Sequence, residues 1–395
     1  MGEVAVKLGV AAAVIACALG GCDRGAPGAD GQPDGVQLGE PEAVYPEPFA
    51  VVSTVREFED GRVLVADPLG QVLVRLDLDA GTADTIGAVG EGPDEYRQPD
   101  AVWPLPGGRT LLVDLGNGRL TELSPELRFG ETRPYAMVDP EQGTLLMVLP
   151  QAVDDRGRLY FPDIGGMGEG ADSAGILRID LETGVVDSLG MFKMPDMTRR
   201  ETGDGGNRNV QVSAIPLSPA DAWGVSRDGR VAVARSGDYH LDWMVEDGSV
   251  TSGPAVPYDP VAIGRAEREE WRDARSEVGG GFGIQQTNVN GVLTIRASRG
   301  GTSDDDDLDR YAWPEVKPAF YSRPVPVDGR GRAWIRRHRE AGEATVYDVF
   351  DGSGEVEMTV VVGEGRRVVS FGDGKLYAVR MDEYGLQVLE RYALP

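Results

Sequence analysis

Cysteine and histidine are almost absent from this sequence. Its 395 residues include two cysteines, Cys17 and Cys22, and two histidines, His240 and His338. Because both cysteines lie in the first 22 residues, the rest of the chain has no thiol for a disulfide, a zinc site or a nucleophile. The histidines lack the His-x-His and His-x-x-x-His spacings of metal sites, and no Gly-x-Ser-x-Gly motif is present. The sequence therefore assigns no catalytic residue.

Positive charge is also scarce. The chain has 39 Lys and Arg against 65 Asp and Glu, which gives a formal net charge of −26. This charge repels nucleic-acid phosphates and anionic lipid headgroups, so we expect no nucleic-acid partner and no electrostatic adsorption to a membrane. It is compatible with a cationic partner or with a purely solubilising role.

The N-terminal apolar run is too short to span a membrane. It covers residues 8–18, about half of the ~20 residues that a spanning helix needs. It ends in Leu19-Gly20-Gly21-Cys22, which resembles the lipobox of bacterial lipoproteins. The resemblance implies a signal peptide at 1–21, cleavage before Cys22 and lipidation of Cys22. The alternative is an ordinary signal peptide with a chance cysteine.

The segment after the apolar run predicts a flexible tether. Residues 22–40 are rich in Gly, Pro, Asp and Ala, a composition typical of linkers. The lipobox resemblance implies an exported protein that is lipid-anchored to the bacterial cell envelope on its periplasmic face. Asp23 leaves the choice between inner and outer membrane open.

A short turn followed by an apolar run recurs six times in the remaining chain. Each copy contains a glycine within a turn such as Asp-Gly-Arg or Arg-Gly-Arg; the six are Gly61, Gly108, Gly157, Gly229, Gly331 and Gly374. Three of the five intervals between them lie at about 40–50 residues, the length of a four-stranded propeller blade. The pattern predicts an all-β fold at 41–395, a six-bladed β-propeller of four-stranded blades.

Both ends of the repeat region predict how the ring closes. The last unit stops at Pro395 after three strands, whereas spare sequence from Val36 to Val44 precedes the first unit. We expect this N-terminal segment to supply the outer strand of the last blade, which removes two open sheet edges.

Two intervals between the repeated turns are long. The third contains residues 191–209, which we expect to form an extended loop, and the fourth contains an insertion at about 259–310. In that insertion Pro260 opens a helical pattern that ends at three glycines after Val278, and a hairpin is expected at 284–297. Four consecutive aspartates at 304–307 lack the spacing of a calcium loop and indicate a solvated acidic segment.

Two motifs resemble a known family. The segment Gly90-Glu91-Gly92-Pro93-Asp94-Glu95-Tyr96 resembles the G-x-G-P-x-E-[FY] loop of bacterial six-bladed β-propeller lipoproteins. Residues 113–120 resemble an NHL-type repeat, in which an Asp, an Asn and an Arg tie a strand connection together. The resemblance implies the propeller fold and the lipid-anchored location. It implies no single activity, because such propellers are mostly binding scaffolds and only some are enzymes.

One face of the predicted propeller gathers the candidate ligand residues. Connections between middle strands and between blades lie on the same face, and they carry Glu91, Asp94, Glu95, Arg97, Asp114, Asn117, Arg119, His240 and His338. Two histidines and several carboxylates at one mouth could hold a divalent cation such as calcium. The alternative is that the acids cap turns and the histidines lie in solvated loops.

Three functions remain open from the sequence. The first is a monomeric envelope-anchored binding module for an unknown ligand, which could be an envelope protein, a small molecule or a glycan. The second is a metal-assisted lyase or lactonase that uses the face carrying His240 and His338. The third makes the helical insertion a docking arm for a partner.

Overall fold

The computed structural model describes residues 35–138, 145–163, 171–202, 209–276, 282–289, 292–299 and 307–395. The predicted signal peptide, Cys22, most of the tether and three of the four consecutive aspartates at 304–307 lie outside these residues, and what the sequence predicts for them stays a prediction. No helix among the described residues is long and apolar enough to cross a bilayer.

Strands dominate the described chain. In order they are β1 (Val36–Gln37), β2 (Ala43–Val44), β3 (Val55–Glu57), β4 (Val63–Asp67), β5 (Val72–Asp77), β6 (Thr82–Thr85), β7 (Ala88–Val89), β8 (Glu95–Tyr96), β9 (Pro99–Pro104), β10 (Thr110–Asp114), β11 (Arg119–Leu123), β12 (Phe129–Pro134), β13 (Ala136–Val138), β14 (Leu145–Met147), β15 (Ala152–Val153), β16 (Leu159–Pro162), β17 (Ser173–Ile179) and β18 (Val186–Lys193).

The second half continues in the same way. Its strands are β19 (Met197–Thr202), β20 (Asn209–Ala214), β21 (Ala222–Val225), β22 (Val231–Arg235), β23 (His240–Met244), β24 (Val250–Ser252), β25 (Phe282–Val289), β26 (Val292–Arg299), β27 (Ala333–Arg336), β28 (Thr345–Phe350), β29 (Val356–Gly363), β30 (Arg366–Phe371), β31 (Lys375–Met381) and β32 (Gln387–Ala393). One α-helix, α1, spans Arg265–Ser276, and 3-10 turns span Pro106–Gly108 and Leu308–Arg310.

Six four-stranded sheets form the blades of a β-propeller, as the sequence predicts. Blades 1 to 4 are the consecutive antiparallel sheets β3–β6, β9–β12, β15–β18 and β21–β24. Blade 5 contains β27, β28 and β29, and an isolated bridge from Val327 to Ala333 adds its inner segment. Blade 6 contains β30, β31 and β32 with β2 as its outer strand. Within each blade the inner strand runs from the linker between blades to the recurrent glycine turn.

The N-terminal segment closes the ring, and it does so over two blades. Strand β2 pairs antiparallel with β32 in blade 6, which confirms the predicted closure. Strand β1 instead pairs in parallel with β29 of blade 5, matching Val36 to Val360. The expectation of one outer strand running from Val36 to Val44 was therefore wrong in its first half. Two short pairings cover two neighbouring sheet edges, where one long strand would cover a single edge.

The recurrent glycines occupy the turns that the repeat predicts. All six have a positive φ, between 64° and 89°. That left-handed region strains residues with a Cβ, so the turn between the first two strands of each blade requires glycine. Because every blade requires glycine at this turn, the repeat can be recognised in the sequence.

The hydrophobic core lies between neighbouring blades. Strands β4, β10 and β28 are buried along their whole length. Both faces of these strands contact apolar side chains, since each blade packs against a neighbour on either side, and this explains their nearly continuous apolar sequence. One packed cluster joins blades 1 and 2, and another joins blades 2 and 3.

The two long intervals contain regular structure. The third was predicted as an extended loop, but β18 continues to Lys193 and β19 pairs with β20 in a hairpin. The fourth contains the predicted helix and the hairpin of β25 and β26. The helix begins at Arg265, later than Pro260, because residues 261–263 first pair with residues 315–317.

The insertion is fastened to blade 5 by charged contacts. The Lys317 ammonium, whose side chain is 1% exposed, lies 2.6 Å from a Glu270 carboxylate oxygen on α1. Arg323 donates a 2.7 Å hydrogen bond to the carbonyl oxygen of Ala274 near the end of α1. These contacts place α1 against the segment that enters blade 5.

Candidate functional site

The loop at 90–96 folds around one of its own carboxylates. The Glu95 carboxylate accepts a 2.6 Å hydrogen bond from the Gly92 N–H. A Cβ at position 90 would lie 2.1 Å from the same carboxylate, so a larger residue there would displace the Glu95 side chain. Glu91 is exposed and pairs with Arg97 at 2.7 Å, and Asp94 is exposed. The spacing of the two glycines and the glutamate thus has a local structural explanation.

Asp114 joins this loop to blade 2. It is fully buried, and one carboxylate oxygen accepts hydrogen bonds from the backbone N–H groups of Arg97 at 3.1 Å and Gln98 at 3.0 Å. Its other oxygen accepts a 2.7 Å bond from the Asn117 amide. The Asn117 amide also donates to the carbonyl of Gly90 at 2.9 Å.

Arg119 completes the same network from the next strand. Its guanidinium donates to the carbonyl oxygens of Gly92 at 3.0 Å and Glu95 at 2.6 Å, and lies 3.4 Å from the Asp114 carboxylate. The Asp, Asn and Arg of the NHL-like motif therefore tie the linker to the strand connection. Blade 1 has a related contact, since Asp67 accepts hydrogen bonds from Ala50 at 2.7 Å and Val51 at 3.1 Å.

The two histidines lie on different blades with different partners. His240 begins β23 in blade 4, where its Nδ1 contacts Asp238 and its Nε2 lies 3.2 Å from the Asp242 carboxylate. His338 follows β27 in blade 5 and is 8% exposed. The described residues contain no group of three or more His, Cys, Asp or Glu side chains arranged to hold a metal. A divalent cation at this face stays a prediction.

His338 is a buried and neutral imidazole. Its ring stacks on Tyr321 with 3.7 Å between ring centroids, and its Nδ1 has no hydrogen-bond partner among the described residues. Burial lowers the pKa of His338 well below the ordinary value of a histidine, and the positive charges of Lys317, Arg336 and Arg323 lower it further. The side chain therefore lies in a region of positive potential.

The inner strands enclose a central cavity of about 1180 Å³. We call it the channel, and name its two ends by the inner strands: the linker end, where they begin, and the turn end, where they reach the glycine turns. Four valines from blades 3 to 6, which we call the valine wall, are among its lining residues: Val153, Val225, Val325 and Val369. Pockets of roughly 300–1,000 Å³ hold small organic ligands.

The two ends of the channel differ in charge. Among the described lining residues, the linker end carries Arg323, Arg336 and Arg367 and the carboxylate of Asp100. The turn end carries Arg56 and Arg227 with four carboxylates, Glu57, Glu59, Asp155 and Asp373. Burial lowers the pKa of Arg56 to about 10, which leaves it cationic at neutral pH.

Sequence reasoning missed the channel. None of the nine predicted ligand-face residues is among those lining it. Six of them, Glu91, Glu95, Arg97, Asp114, Asn117 and Arg119, are brought together in the network at the entry to blade 2, whereas His240 and His338 stay apart. Their role as ligand residues stays a prediction. The sequence does contain a signal for the channel. The residues just before each glycine turn form the inner strands, and the inner strands line the channel.

Comparisons with known proteins give a similar fold and no family. No family model and no curated protein matches the chain. Solved structures with similarity include virginiamycin B lyase from Staphylococcus aureus, with 11% identity, a TM-score of 0.39 and coverage of 90% of this chain and 87% of that one. Regucalcin from Agrobacterium tumefaciens, a calcium-binding protein, has 12% identity, a TM-score of 0.41 and coverage of 91% and 95%.

A third similar structure is a gluconolactonase from Xanthomonas campestris, with 10% identity, a TM-score of 0.39 and coverage of 91% of both chains. These neighbours are β-propellers, as this chain is. At such TM-scores the likeness carries no argument about activity, metal or substrate. Membership of the lipoprotein family and the NHL-like assignment stay predictions.

Proposed function

We propose that this chain binds a small organic molecule in the channel. The observation that supports the proposal is the channel itself, whose volume of about 1180 Å³ and valine wall suit an apolar skeleton. Burial of apolar ligand surface against these side chains supplies the main favourable free energy. The sequence predicts a binding module of unknown ligand, and this proposal gives that module a small organic molecule as its ligand.

The test fills the channel with a larger side chain. Val225 is half-buried and lies on the inner strand of blade 4, so Val225→Trp places an indole in the channel. We expect affinity for naphthalene probes to fall about tenfold or more, because the ring occupies their volume. Probe fluorescence titration of the full chain measures this, using neutral, anionic and cationic naphthalene derivatives.

Val250→Trp is the matched control. Val250 lies on the outer strand of the same blade and is 50% exposed. We expect it to leave probe affinity unchanged. Val153→Trp, from blade 3, repeats the test if Val225→Trp does not fold. Equal binding by the wild type and both channel variants would contradict the proposal, as would no binding of any of the three probes.

A second candidate is the lyase or lactonase predicted from the sequence. Tyr321 lines the channel and stacks on the neutral imidazole of His338, which is the form of histidine that accepts a proton. The lyase and the gluconolactonase among the solved neighbours supply two compounds for a first turnover assay, virginiamycin B and gluconolactone. Turnover lost in His338→Phe would support this candidate; absence of turnover would reject it.

A further inference from the structure

Arg56 is a buried cation on the wall of the channel. It lies on β3, the inner strand of blade 1, and is 6% exposed. Its Nη1 donates a hydrogen bond to the Thr110 hydroxyl, and its Nη2 donates to the carbonyl oxygen of Gly108 at 2.8 Å. The guanidinium also lies 4.5 Å from the centroid of the Phe58 ring. All of these partners are neutral, so they position the positive charge without balancing it.

Arg56 differs in this respect from the other buried arginines of the described chain. Three others are buried to a similar extent and each has an aspartate partner; the pairs are Arg158–Asp154 at 2.7 Å, Arg178–Asp187 at 2.6 Å and Arg332–Asp328 at 2.8 Å. Among the described residues no carboxylate pairs with Arg56, and its Nε has no hydrogen-bond partner. A buried charge without a partner is strongly unfavourable. A ligand that enters the channel could supply the missing anion.

The pKa values of the buried arginines show the same difference. Burial disfavours the charge of Arg158 and Arg178, yet hydrogen bonds to Asp154 and Asp187 raise the pKa of both arginines. Burial lowers the pKa of Arg56 to about 10, and no carboxylate of the described chain opposes this shift. Because this pKa is still well above neutral, Arg56 remains cationic and attracts an anion beside it.

The carboxylates at the turn end have other surroundings. Glu57 follows Arg56 in the strand, so the two side chains point to opposite faces of the blade. The Glu57 carboxylate accepts a 3.1 Å hydrogen bond from the Asp373 N–H in the turn of blade 6, whereas Arg56 contacts the turn of blade 2. Glu59, Asp155 and Asp373 are exposed to solvent, which screens their charges. The acids of this end therefore leave the Arg56 guanidinium without a counter-ion.

We propose that Arg56 binds an anionic group of the channel ligand, a carboxylate or a phosphate, while the apolar skeleton of that ligand contacts the valine wall. This inference rests on the proposed function and adds the chemical class of the ligand to it. Two neighbouring N–H groups of a guanidinium can donate parallel hydrogen bonds to carboxylate or phosphate oxygens. The valine wall belongs to blades 3 to 6 and Arg56 to blade 1, so the two parts of the ligand contact different sides of the channel.

The experiment compares three probes with one skeleton: naphthalene-2-carboxylate, 2-naphthyl phosphate and the neutral naphthalene-2-carboxamide. We expect at least one of the anions to bind the full chain about tenfold more tightly than the amide, and the tighter of the two gives the class of the anionic group. Arg56→Gln should remove most of this preference and leave amide binding within about twofold. Raising the salt concentration should weaken binding of the preferred anion and leave amide binding unchanged.

Arg265→Gln controls for net charge. Arg265 is on α1 with its side chain 90% exposed, and its loss changes the charge of the protein equally. It should keep the full preference for the anion. Arg56→Met replaces Arg56→Gln if that variant does not fold, since an apolar side chain can keep the contact with Phe58. It should also lose the preference.

The outcomes separate this inference from the proposed function. If neither anion binds more tightly than the amide, or if the preference persists without Arg56, the inference is overturned and the proposed function stands. If none of the probes binds, both are overturned. A preference lost equally in Arg265→Gln would reduce the effect to long-range charge and overturn the inference. Equal losses of amide and anion binding in Arg56→Gln would give Arg56 a purely structural role and also overturn it.

Discussion

Replacing Asp328 with alanine lowers the free energy of unfolding by about 3–5 kcal/mol, because it removes the 2.8 Å carboxylate partner of the buried Arg332 guanidinium and leaves that group the half-exposed Glu357 at 3.6 Å. Asp328 is 1% exposed and lies in the glycine turn of blade 5. One carboxylate oxygen accepts hydrogen bonds from Arg332 Nε at 2.8 Å and Trp334 Nε1 at 3.1 Å. The other accepts from the backbone N–H groups of Arg330 at 2.9 Å and Arg332 at 3.0 Å.

The equivalent aspartate in blade 3, Asp154, accepts hydrogen bonds from the equivalent donors. Asp154 accepts from Arg158 Nε at 2.7 Å, and an aromatic residue, Tyr160, donates its hydroxyl to the same oxygen at 2.9 Å. Asp154→Ala should therefore have a cost similar to that of Asp328→Ala. Both blades have the sequence pattern Asp-x-x-Gly-Arg-x-aromatic. It runs from Asp154 to Tyr160 in blade 3 and from Asp328 to Trp334 in blade 5.

Asp60→Ala provides the matched control for both variants. Asp60 lies in the glycine turn of blade 1 and pairs with Arg62, but its side chain is 49% exposed. Exposed ion pairs contribute about 0–1 kcal/mol, so we expect a loss within that range. Urea unfolding of the three variants measures the comparison. A loss at Asp328 no larger than that at Asp60 would contradict the assignment of the buried turn contacts as a major source of stability.

Acidification destabilises the protein through His338. Its pKa is lowered in the folded state, whereas a histidine in the unfolded chain titrates near about 6.5. Below that pH the unfolded chain binds a proton that the folded protein excludes. The stability associated with the neutral imidazole is thus fully present above about pH 6.5 and is lost as the pH falls toward the folded pKa, by up to about 1.4 kcal/mol per pH unit.

His338→Phe isolates this contribution. A phenyl ring can keep the stacking on Tyr321 and cannot be protonated, and no hydrogen bond of the imidazole is lost among the described contacts. Between about pH 6.5 and 5 the wild type should lose about 1–2 kcal/mol more stability than the variant. Urea unfolding of both proteins at several pH values gives the difference. Parallel curves over that range would show that His338 is protonated in the folded protein.

The propeller fold could be predicted from the sequence because particular residues have strict backbone or pairing requirements. Gly229 and its five equivalents need a positive φ, which few other residues adopt without strain. The missing fourth strand before Pro395 and the spare segment before β3 indicated ring closure, since an open sheet edge is disfavoured. The ties made by Asp114, Asn117 and Arg119 followed from the NHL-like spacing.

The residues that line the channel could not be predicted from the sequence, because they depend on which side chains point to the axis. Arg336, Arg337 and Arg339 are nearly adjacent in sequence, yet Arg336 lines the channel, Arg337 pairs with Asp348 at 2.7 Å and Arg339 pairs with Glu343 at 2.8 Å. Strand register and the position of neighbouring strands decide between these partners, and neither is encoded in the local pattern. Glu95 and Asp114, two of the carboxylates that the sequence places on the candidate ligand face, accept backbone N–H groups.

The position of β1 shows the same limitation. A two-residue strand contains too little alternation to indicate its partner, and its parallel pairing with β29 depends on a segment more than 300 residues away in the chain. The expectation of one continuous outer strand used only the count of strands in the last blade. Covering blade 5 as well required knowledge of where its outer edge lies.

A crystal structure of the full chain with naphthalene-2-carboxylate bound tests the central claim most directly. We expect the naphthalene ring to lie against the valine wall inside the channel. A probe bound elsewhere, such as beside His240 or on the loop at 90–96, with the channel unoccupied by probe, would contradict it.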